Sequence, residues 1–172
     1  NQWIFKNKIK GFDNSSRYVE ITNSNTIYVS HEYKGIYRFK LNPDLNSVSN
    51  LYTYSKPEKG KNAGLIKYNN IIYYTYKDGI YKLNNTNQQF EKDKSLSTVL
   101  ENNEYTSGKL IVDESNKLWL FSKNYITYFT QNKLSSELKK NRISIPSTLT
   151  NFMLGYENIS QLTNSLYLIG TT

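Results

Sequence analysis

One short phrase occurs four times in this chain. Ile27-Tyr28-Val29-Ser30, Ile72-Tyr73-Tyr74-Thr75, Leu118-Trp119-Leu120-Phe121 and Leu166-Tyr167-Leu168-Ile169 read as versions of one strand. Each follows an asparagine-containing turn, at Asn25, Asn70, Asn116 and Asn164, and the steps between copies are 45, 46 and 48 residues. A unit of that length cannot bury its own apolar face, so it must stack on its neighbours. The period therefore constrains the architecture before any single residue does.

Within each unit the order of signals is the same. An alternating segment comes first: Arg17 to Ile21, Gly64 to Tyr68, Lys109 to Asp113, and a stretch near Ile159 to Leu162. Asparagine and serine then bend the chain, because they tolerate the left-handed dihedrals that tight hairpins need. The repeated phrase follows, then a polar loop, then a third strand. Gly35-Ile36-Tyr37-Arg38-Phe39 and Gly79-Ile80-Tyr81-Lys82-Leu83 are close copies of that third strand, and Asn124 to Phe129 is a looser one. A weaker fourth strand is expected at Leu51 to Tyr54, Gln89 to Glu91 and Arg142 to Ile145. Helical turns are expected only at Ser95 to Leu100 and Ser135 to Lys140, both too short to stand alone.

Four antiparallel strands recurring at this period predict an all-β fold, a β-propeller with the first strand of each unit innermost. The expected blade-like repeats are 17–56, 63–105, 107–150 and 156–172, with residues 1–12 as the outer strand of a preceding blade. The whole of 1–172 thus reads as a partial propeller domain of about three and a half four-stranded blades. A β-sandwich is the alternative, but its strands would not restart in the same order four times. Such a piece leaves interblade faces uncovered and is expected to self-associate as a homo-oligomer or to pair with missing blades of the same protein.

Composition fits this reading. Aromatic residues make up 15% of the chain, and 16 are tyrosines, which suit half-buried pleated surfaces. There is no cysteine, which removes disulfides, thiolate zinc sites and a cysteine nucleophile. No apolar run reaches the length of about 20 residues that spans a bilayer. The opening Asn1-Gln2-Trp3-Ile4 is not a signal peptide. The net charge of +8 is spread over nearly every segment; the densest stretches, Lys56 to Lys61 and Lys139 to Arg142, lie in connections. That pattern reads as a solvated surface, so no direct nucleic-acid contact is expected.

The phrase Asn116-Lys117-Leu118-Trp119-Leu120-Phe121, the run Leu166 to Thr171, and the stretch Tyr33-Lys34-Gly35-Ile36-Tyr37-Arg38 resemble the propeller repeat of two-component regulators. Ser107 to Leu110 fits the same group. Arg142 to Gly155, followed by Tyr156-Glu157-Asn158-Ile159, is similar to the last propeller blade of the triple-tyrosine sensor-regulators. The resemblance implies a non-catalytic, ligand-sensing propeller on the periplasmic side of a bacterial inner-membrane regulator. It further implies a triple-tyrosine sandwich and a membrane helix outside this chain, and inside the cell a histidine kinase or a LuxR-type helix-turn-helix. Only the fourth copy keeps Gly-Thr after the repeated strand, and no binding residue carries over.

Candidate chemistry is sparse. His31 is the single histidine and reads as a loop residue, since a metal site needs several converging ligands. Asp113-Glu114 and Glu101 with Glu104 are acidic pairs that suggest paired carboxylates, but Asp113-Glu114 sits in a hairpin turn and reads as solvated turn residues, and a glycosidase pair needs two carboxyls facing each other across a cleft. Asp44, Asp78 and Asp93 lack calcium-loop spacing, and no phosphate loop or serine-nucleophile motif is present. No cofactor is expected. Tyr28, Tyr73, Tyr81 and Tyr167 occupy repeat positions and are expected to pack between blades. In a four-stranded blade, the loop entering the first strand and the loop joining strands two and three lie on one face. Arg17, His31, Tyr33, Asn62, Tyr76, Lys77 and Tyr105 are therefore expected to share a rim able to hold a glycan or a peptide. Two rival readings remain at this point. One is a metal-dependent propeller lactonase or lyase, for which the inner strands offer only Glu20 and Asp113. The other is a ligand-free interaction scaffold.

Overall fold

The computed structural model describes residues 2–102, 104–131, 138–146, 148 and 157–170. Its first sheet is β1 (Tyr18–Ile21), β2 (Thr26–His31), β3 (Gly35–Leu41) and β4 (Val48–Thr53), paired antiparallel in that order. The second is β5 (Gly64–Tyr68), β6 (Ile71–Tyr76), β7 (Gly79–Leu83) and β8 (Phe90–Lys92). The third is β9 (Leu110–Val112), β10 (Leu118–Phe121), β11 (Tyr125–Gln131) and β12 (Leu138–Ser144). A hairpin of β13 (Asn158–Gln161) and β14 (Tyr167–Gly170) follows. These are three blades and half of a fourth, with β1 beside β5 and β5 beside β9 at the centre. The protein is an all-β propeller-type assembly.

Alternation along the repeated strand explains how blades stack. Side chains on a strand point to opposite faces in turn. Tyr28 of β2 faces forward and packs with Ile72 and Tyr74 of β6, which face back. Tyr73 faces forward and joins Leu118 and Leu120 of β10. Trp119 and Phe121 face forward and join Tyr167 and Ile169 of β14. Ile80, Val99, Leu118 and Leu120 are fully buried, and each such side chain contributes about 1.5–3 kcal/mol of burial. A short helix α1 (Lys94–Ser97) and a following turn of 3₁₀ helix (Thr98–Leu100) plug the second interface with Leu96, Val99 and Leu100. Asp93 caps α1 by accepting from the Leu96 amide at 3.0 Å.

The backbone turns follow the expected chemistry. Asn25, Asn69, Asn70 and Asn116 all have left-handed φ, between 48° and 61°. Close approach at the axis needs glycine twice. A Cβ on Gly64 would collide with the Gly108 carbonyl, and one on Gly108 would sit 2.5 Å from the Gly64 nitrogen.

Three expectations are corrected. The opening segment forms no strand over residues 2–9. Its one ladder contact is a bridge from Lys10 to Ser47 beside β4, and Trp3, Ile4 and Phe5 are at least 83% exposed. The segment has too little apolar surface facing the first sheet to offset its ordering entropy. Of the helical turn expected over Ser135 to Lys140, residues 135–137 lie outside the described residues, and Leu138 to Lys140 belong to β12, paired with Gln131, Thr130 and Phe129. The ladder supplies their hydrogen bonds where one helical turn would not. The fourth copy of the repeated phrase also shifts by one residue. Tyr167 stands opposite Gln161 as Leu118 stands opposite Val112 and Ile27 opposite Ile21. The turn bond sets this frame: Leu162 donates to the Leu166 carbonyl as Asp113 does to Lys117 and Thr22 to Thr26. The true steps are 45, 46 and 49 residues. Of the expected fourth repeat, residues 156 and 171–172 lie outside the described residues.

Candidate ligand-binding rim

The β2–β3 turn builds the first half of the rim. His31 Nδ1 accepts from the amides of Tyr33 at 3.0 Å and Lys34 at 3.2 Å, so the neutral ring carries its proton on Nε2. This is a side-chain turn of the kind asparagine usually makes, and it leaves Tyr33 65% exposed. Arg17, just before β1, reaches across to Glu32 at 3.6 Å and donates its own amide to the Ser30 carbonyl. Lys34 ties the turn to Asn14 at 2.6 Å. Between them is an open cavity of about 340 Å³ lined by Ser15, Ser16, Arg17, His31, Glu32 and Tyr33.

The β6–β7 turn builds the second half. The Tyr76 ring meets Tyr105 edge-on at 5.8 Å, and Lys77 lies over Tyr76 at 5.4 Å while pairing with Glu58 at 3.4 Å. The Tyr105 hydroxyl donates to the Asn62 carbonyl at 2.7 Å, and burial pushes that hydroxyl up from its usual range. Asn62, at φ 66°, also accepts from the Gly108 amide at 2.6 Å. Its backbone therefore serves the close packing of β5 on β9. The structure thus divides the seven predicted rim residues into two groups: Arg17, His31 and Tyr33 around a cavity, and Asn62, Tyr76, Lys77 and Tyr105 in a packed aromatic cluster.

Two groups at the axis escaped sequence reading. Lys109, just before β9, is half-buried and donates to the Glu157 carbonyl. Burial pushes its ammonium below the usual range, nearby Glu157 opposes this, and Arg17 adds to it. Glu157, just before β13, is 1% exposed. The available signal was positional: each residue immediately precedes the innermost strand of its repeat, as Arg17 does. Ser15, Ser16 and Glu32 were likewise missed, though they flank predicted residues.

The acidic candidates have structural roles. Asp113 accepts from Trp119 Nε1 and from the Lys117 amide, both at 2.8 Å. Glu104 is 8% exposed. It accepts from the Ser122 hydroxyl, the Asn124 amide and Asn124 Nδ2, because the β10–β11 turn folds its unpaired donors over this one carboxylate. Burial alone would push Glu104 up, but those bonds outweigh it and hold the carboxyl below the usual range. Burial pushes Glu20 up. Among the described residues no three His, Asp or Glu side chains converge on a point that would suit a metal ion. Among them, too, no helix is long and apolar enough to cross a membrane.

Compared with family models and with curated proteins, the chain matches none.

Proposed function

We propose that this chain is the ligand-sensing propeller region of a bacterial transmembrane regulator, acting outside the cytoplasm and without catalysis of its own. The reading combines the resemblance of its repeats to two-component-regulator propellers with one observation. The entrance to β1 and the β2–β3 turn converge on an open cavity that exposes a tyrosine ring beside an arginine. Loops held by a rigid sheet are where binding concentrates. Aromatic faces and guanidinium groups suit a glycan or a short peptide. The carboxylates of Asp113 and Glu104 are committed to folding contacts, which favours binding over acid–base chemistry by these two groups. Signal output would follow from a ligand that prefers one arrangement of sensor subunits in a homo-oligomer.

The test is a binding screen of the intact chain against neutral oligosaccharides and short peptides, followed by Arg17→Ala and Tyr33→Ala. A ligand whose affinity falls about tenfold in each variant supports the proposal. A ligand that binds both variants as it binds the parent overturns the assignment of the rim.

A further inference from the structure

The end of the molecule opposite the rim carries a second, differently built cleft. It lies between the first two blades, where the Thr22–Thr26 turn, Asn70 and the β7–β8 turn meet. Two cavities, of about 370 Å³ and 410 Å³, share Thr26 and Gln88 as their common wall. Gln88 is fixed in place. At φ 57° it turns its side chain inward, where Oε1 accepts from Arg38 at 2.9 Å and from the Tyr28 hydroxyl at 3.4 Å, and Nε2 donates to the Asn85 carbonyl at 2.8 Å. Asn84 fixes the turn behind it by accepting from the Thr86 and Asn87 amides. The walls are therefore preorganised before any ligand arrives.

The chemistry of the lining is one-sided. Among the described residues no carboxylate lines either cavity, whereas Arg38, Lys40 and Lys67 do. Lys67 is partly committed, since it donates to the Ile21 carbonyl and stands beside Glu20. Arg38 lies over the Tyr52 ring at 5.2 Å and bonds Gln88 through Nη1, and a guanidinium has five N–H donors. Lys40 is exposed and its ammonium has no hydrogen-bond or ion-pair partner among the described residues. The remaining lining is rich in carboxamides: Asn50 beside the cations, and Asn23, Asn70 and Asn85 in the neighbouring cavity. Carboxamides pair a donor with an acceptor, as hydroxyl groups require. Two cations at one end and amides at the other match a small molecule that is anionic at one end and hydroxylated along its body.

We propose that this interblade cleft binds a phosphate monoester of a small polyol, with the phosphate on Arg38 and Lys40 and the hydroxyls on the carboxamides. Charge-assisted bonds to the phosphate would supply most of the affinity. The cleft is independent of the rim, so its test leaves the sensor proposal untouched.

The experiment is an amide chemical-shift titration of the intact chain with glycerol 2-phosphate. Glycerol, inorganic phosphate and sodium chloride at matched ionic strength form separate arms. Saturable shifts centred on Thr26, Asn50 and Gln88 are expected with the ester, about tenfold weaker binding with inorganic phosphate, and none with glycerol or chloride. Lys40→Gln, at a side chain with no partner to lose, should weaken the ester about tenfold. Asn50→Asp, which sets a carboxylate in the cavity without changing its shape, should abolish binding, and Arg17→Ala should leave it unchanged. Equal response to sodium chloride, parental affinity in both cleft variants, or shifts centred on Arg17 and Tyr33 would overturn the proposal. Equal affinity for inorganic phosphate would overturn the role given to the carboxamides.

Discussion

The interface between the second and third blades and the outer face of the β13–β14 hairpin use the same repeat positions with opposite results. Tyr73 faces forward from β6 and is 6% exposed. Leu168 faces forward from β14 at the equivalent place and is 61% exposed, with Leu162 and Leu166 beside it at 58% and 55%. The local sequence differs little: each is an apolar residue in an apolar strand. What differs is the neighbour. In the first case β9, β10 and the short helix at Lys94–Ser97 supply a complementary face, and Tyr68 adds a cross-blade bond to the Asn116 carbonyl at 3.2 Å. In the second no described residue does. A repeat position carries a capacity to be core, and an adjacent blade realises it.

Three measurements can break or sharpen that contrast. The largest effect is expected from Leu118→Ala, which opens a cavity in the fully buried second interface. It should cost about 2–5 kcal/mol in chemical denaturation, and a loss below about 1 kcal/mol would show that the interface is looser than its burial implies. The next concerns buried phenols. Burial pushes the hydroxyls of Tyr54 and Tyr73, one at each of the first two interfaces, up to about 12. A folded-state value above the unfolded one gives stability that is complete below about pH 10 and is lost as pH rises toward 12. Tyr74, Tyr81 and Tyr105 are pushed up as well, so absorbance at 295 nm should show at least these five phenols resisting ionisation until the chain unfolds in alkali. Titration of every tyrosine near pH 10 with the fold intact would contradict the packing. The smallest effect is expected from Leu168→Ala, within about 0.5 kcal/mol, because an exposed side chain loses little on truncation. If sedimentation velocity shows self-association that this substitution abolishes, the hairpin face is where copies meet.

Much of the fold was legible because its signals are local. Period-two alternation and left-handed asparagines marked β1, β2, β5, β6, β9 and β10 within a residue or two, and the glycine before Ile36 and Ile80 marked the third strands. The frame of the fourth copy was not legible. Leu166-Tyr167-Leu168-Ile169 is apolar throughout, so its pattern reads the same in either register, and only the bond from Leu162 to the Leu166 carbonyl settles it. The candidate site was legible in part. Arg17, His31 and Tyr33 were found because topology alone places both of their loops at one end. Lys109 and Glu157 were missed because each is an ordinary charged residue until the axis gathers them from two different blades.

The sequence by itself determined the repeat, the strand order within each blade and the positions of most turns, since these depend on residues a few places apart. Only the tertiary structure decided which apolar faces are buried, that Glu104 and Asp113 serve the fold, and that Gln88 joins the first two blades across a polar cleft. Those outcomes depend on groups brought together from separate blades, and desolvation and hydrogen-bond geometry act only once the blades have met.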